Sequence, residues 1–167
     1  MRPRRFADCL TDTANIVELF MRSVRLSVGR VFILKLDPGE ILKEAVERFV
    51  ADNDVYGATV TAEGGVAAGS YLTSGPNMPI EDKIEPIIYR LDAPSEFIGS
   101  GTVFRDDEGT PVMHMHGSVG RNGKSVTGCI REGIIVWTVM EVIITELTGN
   151  CPVRKMDNRV GSKILEI

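Results

Sequence analysis

The stretch Pro111–Arg131, PVMHMHGSVGRNGKSVTGCIR, holds both histidines of the chain and one of its three cysteines, and its reading decides the fold around it. Asn122-Gly123 is a strong hairpin signal, because a type I′ turn needs φ > 0 at both central residues and Asn and Gly tolerate that best. With those two residues as the loop, Arg121 pairs with Lys124. Counting back along both strands sets His116 opposite Cys129 and His114 opposite Arg131. Side chains alternate between the faces of a strand, so one face collects His114, His116, Ser118, Ser125, Thr127, Cys129 and Arg131. The other collects Met113, Met115, Val119, Val126 and Ile130, which makes it the core face.

Two imidazoles at i and i+2 and a thiol across the ladder can converge on one ion, and His and Cys are the usual zinc ligands. Three protein ligands leave a fourth position open, the arrangement of catalytic rather than structural zinc. The competing reading is a solvated polar face with Cys129 as a small half-buried hydrophobe. A one-residue slip in register sends Cys129 to the opposite face.

Working outward, Ser95–Phe104 reads as a strand, and Ile134–Leu147, IIVWTVMEVIITEL, is too β-branched for a helix and reads as a central strand. Glu141 lies among its aliphatic residues, and a buried carboxylate is costly unless it is paired, hydrogen-bonded or protonated. If Glu141 shares the face of the histidines, it can support a ligand histidine or act as general base on metal-bound water. Otherwise it is a solvated glutamate or one paired with Arg131 or Arg90.

Toward the N-terminus, Arg30–Leu36 reads as a strand that stops at Asp37-Pro38-Gly39-Glu40. Asp as N-cap, Pro at the first helical position and Glu at the third predict a helix starting here. Ile41, Leu42, Ala45, Val46, Phe49 and Val50 continue it on one apolar face to about Asn53. Tyr56–Ala62, Ala67–Thr73 and Ile84–Leu91 are further strands, with Glu63-Gly64-Gly65 as a turn or bulge. That loop lacks the Gly-Lys-Ser/Thr ending of a phosphate loop, and the Gly-Lys-Ser at 123–125 has no strand-loop-helix frame around it. Thr13–Val28 is an apolar run of ambiguous type, with a short second helix as one option.

Composition sets further bounds. At 167 residues and 43% hydrophobic, the chain is large and apolar enough for one domain with its own core. No apolar run reaches membrane-spanning length, so no membrane partner is expected. MRPRRFADCL has no apolar stretch followed by a small-residue cleavage site, so no secretory leader is expected there, and three sparse cysteines, Cys9, Cys129 and Cys151, suit a reducing cytoplasm. Residues 1–30 carry six arginines against Asp8, Asp12 and Glu18, a net of +3, which leaves −7 on the remainder for the total of −4. Phosphate is repelled by such a body, so DNA contact falls to the N-terminal arm or a local patch.

The segment Pro94–Leu147, with PSEFIGSGTV, MHMH, the TGC-I-R-EG run and VMEVIITEL, resembles the plant-and-prokaryote-conserved (PPC) domain. The likeness runs from Gly29 to Leu165, giving residues 1–28 as an N-terminal extension and 29–167 as the domain. In that resemblance His114 and His116 fall on the family's paired histidines, Gly128 on a hairpin glycine and Glu141 on the closing-strand glutamate. Cys129 stands where prokaryotic members usually carry a third metal-binding histidine, and Thr127 replaces a glycine. Plant members precede the domain with an Arg-Gly-Arg-Pro hook, which Arg2-Pro3-Arg4-Arg5 matches only faintly.

The expected fold is α/β of the α+β type, a mostly antiparallel mixed sheet flanked by one or two helices. The resemblance implies a homotrimer and a DNA-binding or regulatory role. The residues themselves suggest a second class, a metal-dependent enzyme in which His114, His116 and Cys129 hold zinc. In that reading Arg131 holds a small anionic substrate and Glu141 is the base.

Overall fold

The computed structural model describes residues 21–76, 86–131, 133–158 and 161–167. Ten strands and one helix follow in the order β1 (Ser27–Leu36), α1 (Leu42–Asp52), β2 (Gly57–Val66), β3 (Tyr71–Pro76), β4 (Pro86–Arg90), β5 (Ser95–Arg105), β6 (Pro111–Arg121), β7 (Lys124–Cys129), β8 (Val136–Thr148), β9 (Val153–Asp157) and β10 (Ser162–Glu166). The first eight strands form one sheet in the order β1-β8-β2-β5-β6-β7-β3-β4, and β9 and β10 form a separate hairpin. Every named strand pair is antiparallel. This is the expected α+β class, with a single helix among the described residues.

Helix α1 covers one face of the sheet. Leu42, Val46 and Val50 are fully buried in a core with Val60, Met115, Met140 and Ile144. The helix starts four residues later than its sequence signal suggested. Glu40 does accept the Asp37 N–H at 2.9 Å, half of a capping box, but Pro38-Gly39 instead makes a tight turn with Gly39 at φ 91°. Pro followed by a residue at positive φ is the signature of a type II turn, and that conformation cannot continue into a helix.

Other boundaries moved too. Glu63-Gly64-Gly65 lies inside β2, where the pairing to β8 shifts between Gly64 and Val66, so it is a bulge rather than a loop between strands. Residues 67–70 form a turn, and β3 begins at Tyr71. Of the ambiguous Thr13–Val28 run, residues 13–20 lie outside the described residues. The part from 21 to 26 has no regular structure, and Ser27-Val28 opens β1, so no helix extends to Val28.

The C-terminal segment folds back on the body as expected. Lys163 pairs with the buried Asp106, and Arg154 reaches across β5 and β6. Among the described residues no helix is long and apolar enough to cross a membrane. Cys129 and Cys151 are free and half-buried, and Cys9 lies outside the described residues.

Candidate metal centre

The site lies on the sheet face opposite α1, and the β6–β7 hairpin builds it. Asn122 and Gly123 adopt φ of 51° and 72°, the left-handed pair of the predicted two-residue turn, and Arg121 pairs with Lys124. The ladder then brings His116 opposite Cys129, as the spacing predicted. It ends one step later: Ile130 donates to Met115 O at 3.0 Å and the chain bends away at Arg131. The predicted pairing of His114 with Arg131 is therefore absent. The chain leaves because Gly133 is drawn to β3, where its carbonyl accepts the Tyr71 N–H at 2.8 Å.

The partner of His114 lies on its other side. Strands β5 and β6 set Thr102 opposite His114 and Ser100 opposite His116. Close approach of these strands requires Gly101, because a Cβ there would sit 2.3 Å from His114 O. The turn that fixes this register is held by Asp106, whose Oδ1 accepts the N–H groups of Glu108 and Thr110 at 3.0 and 2.8 Å.

Three donor atoms converge here. One ring nitrogen from each histidine and the Cys129 thiol sulfur all lie within 4.8 Å of one another. The two Nε2 atoms are 3.2 Å apart. Tetrahedral zinc with Zn–N bonds of about 2.0–2.1 Å places two imidazole nitrogens roughly 3.3 Å apart, so the pair already has ligand spacing. The donor chemistry and the geometry both fit a zinc-class ion.

The electrostatics favour neutral imidazole. Burial, then the charges of Arg154, His116 and Arg131, push the His114 pKa below its ordinary value, which leaves the ring unprotonated and able to ligate. Burial pushes the Cys129 thiol up, while the Arg131 charge and hydrogen bonds from Thr73 and Arg131 pull it back toward thiolate. A cation at the site would complete that deprotonation. Thr73 pairs with Cys129 across the β3–β7 contact and donates to its carbonyl at 3.2 Å, which fixes the cysteine from the far side.

Glu141 does share the face of the histidines. It pairs with Glu63 on β2 and with Lys35 on β1, three strands from His116, a separation of about 15 Å at the usual strand spacing. It therefore does not support a ligand histidine directly. An open groove of about 480 Å³ joins the two, with His116 on one wall and Glu63 and Glu141 on the other. Exposed Arg131 stands beside Cys129.

Two residues at the site were not singled out in the sequence. Arg154 is only 2% exposed, yet its Nε donates to Val112 O at 3.1 Å and its Nη2 to Thr102 Oγ1 at 2.9 Å. Among the described residues no carboxylate pairs with it, and burial lowers its pKa. Nothing near His114 in the sequence points to an arginine forty residues away. Thr102 was within reach of inference through the Asp-Asp-Glu-Gly turn at 106–109, which sets the β5–β6 register.

The sequence matches the profile of the Plants and Prokaryotes Conserved (PCC) domain over residues 24–148. Among curated proteins nothing matches it. Among solved structures, a metal-containing protein from Archaeoglobus fulgidus is 28% identical, with a TM-score of 0.75 over 88% of this chain and 100% of that one. A plant- and prokaryote-conserved (PPC) protein from Pyrococcus horikoshii is 25% identical, also with a TM-score of 0.75, over 88% of this chain and 98% of that one. A protein from Ralstonia eutropha whose name proposes DNA binding shares the fold at 20% identity and a TM-score of 0.62, over 81% of this chain and 90% of that one.

Proposed function

The chain belongs to the Plants and Prokaryotes Conserved domain family, and from that premise we propose that it is a metal-holding regulatory protein of the cytoplasm. His114, His116 and Cys129 hold a zinc-class ion. The observation that carries this reading is the convergence of their donor atoms within 4.8 Å, two of them already at ligand spacing. A bound ion supplies Lewis acidity and one open coordination position. The name of the Archaeoglobus relative agrees in kind. The test is elemental analysis of protein purified without chelators or metal-binding tags, with about one ion per chain expected for a three-ligand site of this type. His114→Ala combined with His116→Ala abolishes the ion. A folded, metal-free protein indifferent to added zinc sinks the proposal.

DNA association is the regulatory role that the Ralstonia relative's name suggests. The acidic body opposes it, so the arginines of residues 1–30 would have to carry the phosphate contacts. Gel shift on random duplex at two salt concentrations decides this, because phosphate-driven binding weakens steeply with salt.

We further propose that the protein works as a homotrimer. On the face opposite α1, Ile33, Ile98 and Ile143 are 75%, 64% and 44% exposed. Apolar residues grouped on one open face mark an association surface. Light scattering that returned a monomer mass at micromolar concentration would overturn this.

A second reading, a metal-dependent enzyme, is favoured by the groove that runs from His116 to Glu141. In it Arg131 holds a small anionic substrate and Glu141 serves as base. Because Glu141 lies three strands from His116, the substrate would have to span the groove, and Glu141→Gln would abolish turnover without releasing metal.

A further inference from the structure

Arg154 raises a question of charge that the metal reading does not answer. A guanidinium that is 2% exposed, without a carboxylate partner among the described residues, bonds the residue that faces His114 across the ladder. Removing a cation from water is costly, and placing it beside a second cationic centre costs more. Exposed Arg131, two residues after Cys129, adds another positive charge. A divalent ion held by His114, His116 and Cys129, offset by one thiolate, would leave the open position strongly positive. Water there would leave most of that charge uncompensated, whereas an anion would not.

The hydrogen bonds have matching polarity. Thr102 stands directly across the ladder from His114, within the roughly 5 Å that separates facing side chains. Its oxygen accepts from Arg154 Nη2 at 2.9 Å. A hydroxyl that accepts from a guanidinium has its own proton free to donate elsewhere. Because Thr102 faces the same side of the sheet as the histidines, that proton is available to a group bound over His114. Arg154 Nε also donates to the Val112 carbonyl at 3.1 Å, which fixes the guanidinium against Thr102.

We infer that the open position is an oxyanion subsite, taking a carboxylate or phosphate group whose oxygens receive the Thr102 hydroxyl and the Arg131 guanidinium, with Arg154 aligning Thr102 through its hydrogen bond. This rests on the metal reading above. Charged acceptors make the stronger class of hydrogen bond, and a planar guanidinium suits two oxygens of one group. Thr102 and Arg131 are the binding residues, and Arg154 is a positioning residue.

The test uses the full chain loaded with cobalt(II), whose thiolate charge-transfer and ligand-field bands report metal and coordination together. Inorganic phosphate and acetate are titrated separately, against sodium perchlorate at equal ionic strength. A saturable band shift with phosphate, acetate or both is expected, with none from perchlorate, and the tighter of the two anions identifies the source class. Thr102→Val and Arg131→Gln should keep the cobalt bands yet weaken the anion by about tenfold each, the usual loss for a hydrogen bond to a charged group. Thr102→Ser should restore it. Cobalt bands that no anion moves, or variants that bind the anion like the parent, overturn the subsite while leaving the metal reading intact. Absence of cobalt bands overturns both.

Discussion

Strand β6 presents two chemistries on its two faces. Met113, Met115 and Val119 face α1 and are buried, while His114, His116 and Ser118 alternate with them toward the open side. The inward set is defined by what each residue is, since any apolar side chain of suitable volume serves there. The outward set is defined by what stands across the ladder: Thr102, Ser100 and Cys129. Burial tolerates a change of neighbour, but a ligand site does not. The inner face therefore governs stability and the outer face governs chemistry, and the two can be perturbed separately.

The largest effect belongs to the inner face. Met115→Ala removes a fully buried side chain, and by the usual cost of large-to-small core changes it should lower the unfolding free energy by about 2–5 kcal/mol in a denaturant titration. A loss under 1 kcal/mol would mean that α1 does not seal this face. Gly123→Val strikes the register that both faces share. Valine at φ 72° should cost on the order of 1–3 kcal/mol and shift the melting temperature downward. An unaltered melting curve would place the turn elsewhere and undo the pairing of His116 with Cys129.

Glu146 tests an ion pair with Arg30 at the end of the inner face. Its carboxyl is held at about pKa 2, well below the ordinary 4.5, chiefly by the side-chain hydrogen bond from Arg30 and then by the Arg30 backbone N–H. The folded value lies below the unfolded one, so the stabilisation is complete above about pH 4.5 and is lost as pH falls toward 2. Glu146→Gln should flatten that acid limb in a series of melts at different pH. A limb unchanged by the substitution would assign it to other carboxylates.

The outer face should give the smallest change in stability and the sharpest change in ligand binding. With chelator present, Cys129→Ala should alter the unfolding free energy by no more than about 0.5 kcal/mol, as expected for a half-buried position at a sheet margin. In competition with a chromogenic chelator the same variant should hold metal roughly 10-fold less tightly, whereas Cys129→His should retain it. Equal retention by Cys129→Ala would reduce the cysteine to a packing residue and shift the third ligand elsewhere.

The difference between the faces also explains what could be read before any coordinates. Alternation along β6 and β7 was enough for the core, and Asn122-Gly123 fixed the register well enough to put His116 against Cys129. Both signals are local, spanning fewer than twenty residues. Thr73, Thr102 and Arg154 come from strands β3, β5 and β9, and their placement depends on strand order, to which side-chain periodicity is blind. Helix α1 shows a local limit of the same kind: Asp37 and Glu40 carry the residue types of a cap, but Pro38-Gly39 encodes a turn, and the turn prevails. Parity grouped Glu141 with Val139 and Ile143 but left open whether their face was that of the histidines, and both the face and the distance followed only from the strands between.

Strand order has a further consequence for the birth of the chain. Strand β1 is the first to be completed, yet its partner is β8, and Leu36 meets Met140 across more than a hundred intervening residues. At a synthesis rate of about 5–20 residues per second, β1 waits roughly 5–20 s for that partner. Throughout that interval its edge, with Val31 and Ile33 facing outward, is unpaired and open to any other extended chain. The β5–β6 and β6–β7 hairpins close over short loops and are free to form meanwhile, because local pairing carries little loop entropy. The hairpin that bears the histidines can thus form before β8 is made, and the sheet that supports it closes from its far end last.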